Sequence, residues 1–116
     1  MKAWLLKAIS NLDKVSNPLE LAEIPLPDPN DSEIRIKVHC CGICHTELDE
    51  IEGRTPPDFP IVPGHQVVGT VDKCGNHTKY FKNGDRVGVA WIFAACGQCE
   101  YCASGMENLC PDFKAT

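Results

Sequence analysis

Nowhere in this chain does an apolar run last long enough to cross a bilayer, which takes about 20 residues. Nor is there the roughly 7 to 15 residue apolar core of a secretory leader. The opening Met1-Lys2-Ala3-Trp4-Leu5-Leu6-Lys7 stays apolar for only four residues before Lys7 ends it, so a cytoplasmic protein with no membrane partner is expected. Positive charge is also scarce: 11 Lys and Arg face 16 Asp and Glu, for a formal net charge of -5. A surface of that sign does not attract phosphate backbones, which argues against nucleic acid as a partner. The dinucleotide fingerprint G-x-G-x-x-G is missing as well, so no phosphate-cradling turn of that type is expected within these residues.

What is present is enough apolar content, 43% over 116 residues, to close one core, so a single domain over residues 1–116 is expected. Beta-branched and alternating segments dominate, with frequent Pro and Gly between them, which predicts a mainly β fold with little helix. Trp4–Ala8 and Leu19–Ile24 read as strands, and Pro25-Leu26-Pro27-Asp28-Pro29 as a connecting turn that lacks ladder donors at its prolines. Glu33–Cys40 has the clearest period of two, placing Ile34, Ile36 and Val38 on one face and Arg35 and Lys37 on the other. A proline-rich loop is expected beyond it. Gln66–Val71 and Arg86–Trp91 read as further strands, with a turn at Lys82-Asn83-Gly84-Asp85. From Ala94 on there is no periodicity.

Eight cysteines admit the disulfide frame of a small secreted protein. Against this stand the missing leader, the apolar content and the clustering of four of them, which in a reducing compartment favours metal. Cys96, Cys99, Cys102 and Cys110 are spaced C-x2-C-x2-C-x7-C. Two-residue gaps let tight turns, eased by Gly97 and Gly105, bring successive sulfurs to one ion at about 2.3 Å. Four thiolates leave no open coordination position, so a structural zinc is expected in a lobe over about residues 94–112. An iron-sulfur cluster is the lesser alternative.

Cys44 and His65 each lie at a strand end beside a turn, where a side chain can be aimed into a cleft. Alone, each reads as readily as a buried thiol or a hydrogen-bonded imidazole. Together with their surroundings they say more. Cys41-Gly42-Ile43-Cys44-His45-Thr46, Val62-Pro63-Gly64-His65, Val67-Val68-Gly69, Gly84-Asp85-Arg86-Val87 and the cluster from Cys96 to Cys110 resemble the medium-chain zinc-dependent alcohol dehydrogenases over nearly the whole chain.

The resemblance implies a GroES-like, partly open β-barrel with the structural zinc lobe projecting from it. It also implies the amino-terminal catalytic part of a larger enzyme, whose Rossmann NAD(P)-binding domain and third catalytic ligand lie beyond Thr116. Cys44 and His65 are then two ligands of a catalytic zinc, giving two Zn2+ per full-length subunit. The two-cysteine, one-histidine ligand set is itself the standard example for alcohol dehydrogenase. Thr46 matches the hydroxyl that accepts the substrate proton and passes it to the cofactor ribose, and His45 the position that approaches the pyrophosphate of NAD or NADP in some members. Cys41 forms a C-x2-C pair with Cys44, yet the resemblance assigns only Cys44 to metal; Cys40 and Cys74 read as structural.

Two residues depart from the family pattern. Gln66 replaces the usual Glu after the ligating His, and Glu47 stands where Asp is usual, with one methylene more to reach the His65 ring. The His that completes a proton relay in some members is absent at Asp49, so the relay is expected to end in water. The implied reaction oxidises a small alcohol to an aldehyde or ketone, in a full-length protein that forms a homo-oligomer. This stretch alone is expected to hold one zinc firmly and to be inactive. The competing reading is a non-enzymatic zinc-binding interaction module.

Overall fold

The computed structural model describes residues 1–116 and is mostly β with few helices. Seven strands form three separate antiparallel sheets, and no barrel closes. β1 (Lys2–Leu5) pairs with β2 (Glu20–Glu23). β3 (Ile34–Gly42), β4 (Gln66–Cys74) and β5 (Arg86–Val89) form the central sheet in that order, while β6 (Ile92–Ala94) pairs with β7 (Lys114–Ala115). No helix is long and apolar enough to cross a membrane.

The first predicted strand is displaced toward the amino terminus, and the last runs shorter than the sequence pattern implies. β1 ends at Leu5, and Leu6 leaves it to form an isolated bridge with Ile61 from the proline loop, each donating to the other at 2.8 and 3.0 Å. Leu6 is completely buried there. β5 stops at Val89, and Trp91 lies outside it, stacked obliquely on Phe113 with ring centroids 5.6 Å apart. The turn at 82–85 forms as expected: the Lys82 amide donates to the Asp85 carboxylate at 3.0 Å, and the Asp85 amide to the Lys82 carbonyl at 3.1 Å.

Strict alternation in β3 does not survive. Two bulges, between Arg35 and Ile36 and between Val38 and Cys40, re-aim its side chains. Ile34 and Ile36 are half-buried, but Val38 is 55% exposed. Arg35, expected on the solvent face, is only 21% exposed and paired with Asp72 at 3.0 Å.

A second correction concerns the residues after β3. They were expected to form a loop, yet residues His45–Glu52 form helix α1, with Cys44 at its N-cap. The Cys44 amide donates to the Glu47 carboxylate at 2.6 Å, and this satisfies one of the orphan donors at the helix start. At the other end, the Ser10 amide donates to the Ile51 carbonyl at 2.8 Å, tying α1 to the segment after β1. The region from Ala94 is likewise not featureless: it holds a short helix α2 (Glu100–Ala103) and a 3-10 turn at Glu107–Leu109 before β7.

Only Ala3, Leu6, Ile51, Val71 and Cys110 make up the buried apolar core. The accessible surface of 8328 Å² is about a third larger than the roughly 6,200 Å² of a compact monomer of 12.7 kDa. The radius of gyration, 16.0 Å, likewise exceeds the value of about 13 Å for a closed domain of this length. The shape is open.

Close backbone contact holds the sheet end together at Gly75. A Cβ there would stand 2.0 Å from the Asn30 carbonyl oxygen and 2.5 Å from that of Asp31, and neither can swing aside as a side chain does. Gly75→Ala is therefore expected to destabilise the fold by about 1–3 kcal/mol, read as a lower midpoint in thermal unfolding against the wild type.

Candidate active site and metal lobe

The helix that the sequence pattern did not reveal organises the first site. Cys44 stands at the junction of β3 and α1, and His65 directly before β4, just beyond the strand ends where Gly42 and Gln66 pair. The Gly64 backbone is held at φ 122°, and a Cβ on it would lie 2.7 Å from Cys41 Sγ. Glycine at this position lets the chain turn into His65 beside the Cys41 thiol.

Glu47 joins the two predicted ligands. One carboxylate oxygen accepts from the Cys44 amide at 2.6 Å, and the other, Oε1, lies 2.8 Å from His65 Nδ1. Both residues are shut away from water, with Glu47 at 7% and His65 at 6% exposure. The Oε1 contact is too oblique to count as a hydrogen bond, so this buried oxygen has no hydrogen-bond partner. Such an unfinished pairing fits an imidazole that faces an acid through Nδ1 and keeps Nε2 for a metal. The extra methylene of Glu47 still reaches the ring.

Thr46 Oγ1 lies 3.8 Å from Cys44 Sγ. His45, at the first turn of α1, is a helix residue, 74% exposed at its side chain, with Nδ1 3.2 Å from Asp49 Oδ2. Asp49 is also paired with Arg54. Arg54 first and His45 second hold the Asp49 carboxyl below the usual carboxylate range. Gln66 begins β4, and its amide oxygen packs over Gly42.

Thr46, Asp49, Glu50, Thr55, Trp91 and Thr116 line a cleft of about 380 Å³. Trp91 and Glu50 were not singled out in the sequence. Trp91 reaches the cleft because the strand after the cysteine lobe returns to it, with the Thr116 amide donating to the Trp91 carbonyl at 3.1 Å. Glu50 would have been found had α1 been recognised, since it follows Thr46 by four residues and shares its face.

The second site is built as the spacing predicts. All four sulfurs of Cys96, Cys99, Cys102 and Cys110 lie within 4.8 Å of one another, and Cys96 and Cys102 are 3.9 Å apart. Ligands at about 2.3 Å around a tetrahedral ion stand about 3.8 Å from each other, whereas a disulfide needs about 2.05 Å. All eight cysteines are free. Gly97 and Gly105 both take left-handed conformations, φ 73° and 77°, in the turns of the lobe.

Amides point at the sulfurs. Cys99 donates to Cys96 Sγ at 3.3 Å, Cys102 to Cys99 Sγ at 3.5 Å and Cys96 to Cys110 Sγ at 3.4 Å. Backbone amides of Gln98 and Cys99 bring the Cys96 thiol down to about 7. Burial, with the neighbouring thiols adding to it, pushes the Cys102 thiol up to about 12. Four sulfurs at these separations offer a cation a complete tetrahedral donor set. It is the only place in the chain where three or more metal-ligating side chains come this close; Cys44 and His65 contribute a pair of donors.

Comparison with known proteins bears on the fold and the family. Residues 30–116 match the family model for the alcohol dehydrogenase GroES-like domain. The chain belongs to that family. An alcohol dehydrogenase of Geobacillus stearothermophilus is 41% identical over 102 residues, which cover 86% of this chain and 30% of that protein. A cinnamyl alcohol dehydrogenase of Sorghum bicolor superposes with a TM-score of 0.81 at 37% identity, over 99% of this chain and 31% of the other. An NAD-dependent alcohol dehydrogenase superposes at 0.83 with 29% identity, over 99% of this chain and 33% of the other. The GroES-like domain thus spans about a third of the length of the relatives it matches, and its open sheets agree with the partly open β fold expected of it.

Proposed function

We propose that the protein carrying this domain oxidises small alcohols to aldehydes or ketones, with hydride passing to NAD or NADP bound mainly by a further domain. We assign Cys44 and His65 to a catalytic zinc and Cys96, Cys99, Cys102 and Cys110 to a structural one. The observation that supports this best is Glu47, one buried carboxylate that meets both the Cys44 amide and the His65 ring.

Each residue has a definite task. The Cys44 thiolate and the His65 imidazole are the donors this chain offers, and Glu47 holds the ring so that Nε2 is the ligating nitrogen. Bound there, zinc supplies Lewis acidity that makes a neighbouring alcohol oxygen more acidic. Thr46, whose hydroxyl is beside Cys44, takes the proton that the alcohol gives up. Trp91 walls the cleft onto which Thr46 opens, and His45, exposed at the first turn of α1, faces the cofactor pyrophosphate.

The test is direct. Full-length protein is assayed for metal content and for alcohol-dependent reduction of NAD and NADP; about two zinc ions per chain and turnover with one of the cofactors are expected. Bound zinc with no turnover of any alcohol would leave an interaction module instead. Glu47→Gln is expected to lower zinc affinity at the catalytic site, or kcat/KM, by about 10 to 100-fold, with Glu47→Asp close to the wild type. Competition with a chelating dye measures the first and steady-state kinetics the second.

A further inference from the structure

A thiol without a task in either metal site stands beside the first of them. Cys41 is free and exposed, and its sulfur lies so near Gly64 that a Cβ there would stand 2.7 Å from it. Gly64 leads directly into His65. Cys41 and Gly64 also line a cavity of about 230 Å³, whose wall is otherwise mostly apolar, with Leu19, Ile43, Leu48 and Ile51 contributing. Its one charged side chain is Glu47, which shares a face of α1 with Leu48 and Ile51. Glu47 is only 7% exposed, and its Oε1 is buried without a hydrogen-bond partner.

From this juxtaposition we propose that Cys41 is a site of covalent modification by α,β-unsaturated aldehydes with an aliphatic chain, and that the adduct weakens the hold on the catalytic metal. The second half rests on the zinc assignment given above. In the reaction the Cys41 S–H bond breaks and an S–C bond forms at the β-carbon of the aldehyde. The thiol proton ends on the α-carbon, the carbon–carbon double bond is consumed and the carbonyl remains, so neither oxidant nor reductant is needed. Oxidation of an allylic alcohol releases an aldehyde of this class, which makes the adduct a brake applied by product.

The cavity selects the chain. A sulfur adds readily to a soft carbon electrophile, and each methylene of the tail that leaves water for an apolar wall favours binding by about fourfold. Cys40 is just as free and exposed but lies outside the cavity, so it gains nothing from a longer tail. Coupling to the metal follows from what surrounds the sulfur. On one side the Gly64 backbone blocks the new substituent, which leaves it the cavity and the Glu47 wall. Glu47 holds the Cys44 amide by a hydrogen bond of 2.6 Å, but meets His65 Nδ1 at 2.8 Å without one. The contact with the His65 ring is therefore the first to yield.

The experiment treats full-length, zinc-loaded protein with crotonaldehyde and with the straight-chain homologue two methylenes longer. Peptide mass spectrometry counts adducts at Cys41 and Cys40, and their ratio cancels the intrinsic reactivity of each aldehyde. That ratio is expected to rise about tenfold with the longer chain. Competition with a chelating dye is expected to show the catalytic zinc held about tenfold or more weakly after modification. Cys41→Ser and Cys41→Ala are expected to keep wild-type zinc affinity before and after treatment. A ratio that stays flat with chain length, or no adduct at Cys41, overturns the cavity as the site. Adduct at Cys41 with zinc held as before overturns its link to the metal. A wild type that holds one zinc before treatment overturns the catalytic-zinc assignment, and the link with it, whatever the adducts show.

Discussion

Cys44→Ser or His65→Gln in the full-length protein is expected to lower kcat/KM for alcohol oxidation by about a thousandfold or more. Lewis-acid stabilisation of developing charge amounts to several kcal/mol, and each 1.36 kcal/mol is about tenfold in rate. A hydroxyl in place of the thiol does not ionise near neutrality, and an amide in place of the imidazole is a weak donor. Zinc content is expected to fall from about two ions per chain to about one, because the lobe at 96–110 keeps its own set of sulfurs. Turnover within tenfold of the wild type, or an unchanged zinc count, would remove both residues from the metal. Since Glu47 meets the Cys44 backbone amide and not its sulfur, the Cys44→Ser change leaves the helix start intact, and circular dichroism separates lost chemistry from lost fold.

Stripping metal from the lobe is expected to have the larger effect on stability. Structural zinc in small peptides contributes about 10–16 kcal/mol near neutral pH, comparable to the whole stability of a typical domain. The lobe has little else to hold it: Cys110 is its one buried residue, and its helix and 3-10 turn together are only seven residues long. Even a net loss of about 3 kcal/mol lowers the midpoint by roughly 12–24 °C for a domain of this size. Differential scanning calorimetry with and without a strong chelator measures it, and Cys110→Ser is expected to reproduce the chelated state. Metal affinity is also expected to climb with pH, since bound thiols must lose their protons. In the metal-free lobe Cys96 does so near 7, while Cys102 resists to about 12. An unchanged midpoint after chelation would show that packing alone sustains the lobe.

Much of this was legible from residue order, for identifiable reasons. The four lobe cysteines are close in sequence, so spacing alone constrains their sulfurs, and the structure brings them together. The turn at 82–85 and the central strands follow from Gly, Asp and β-branched residues acting locally. Helix α1 was hidden because its N-cap is Cys44 and not Ser, Thr, Asp or Asn, and because eight residues with apolar side chains only at Leu48 and Ile51 show too little period. With the helix went Glu50 and the true setting of His45. The exposure of Val38 was equally hidden, since bulges arise from the partner strand's register and leave no mark on the alternating strand itself. Trp91 joins the cleft by way of a chain reversal through the whole lobe, a non-local fact.

The open shape has a thermodynamic consequence. Heat capacity of unfolding follows the apolar area newly wetted, and a fold that already leaves Trp4, Ile43 and Phe93 half or more in water has little left to wet. Left uncovered, this domain therefore has a shallow free-energy curve against temperature, with a broad melting transition and little loss of stability on cooling.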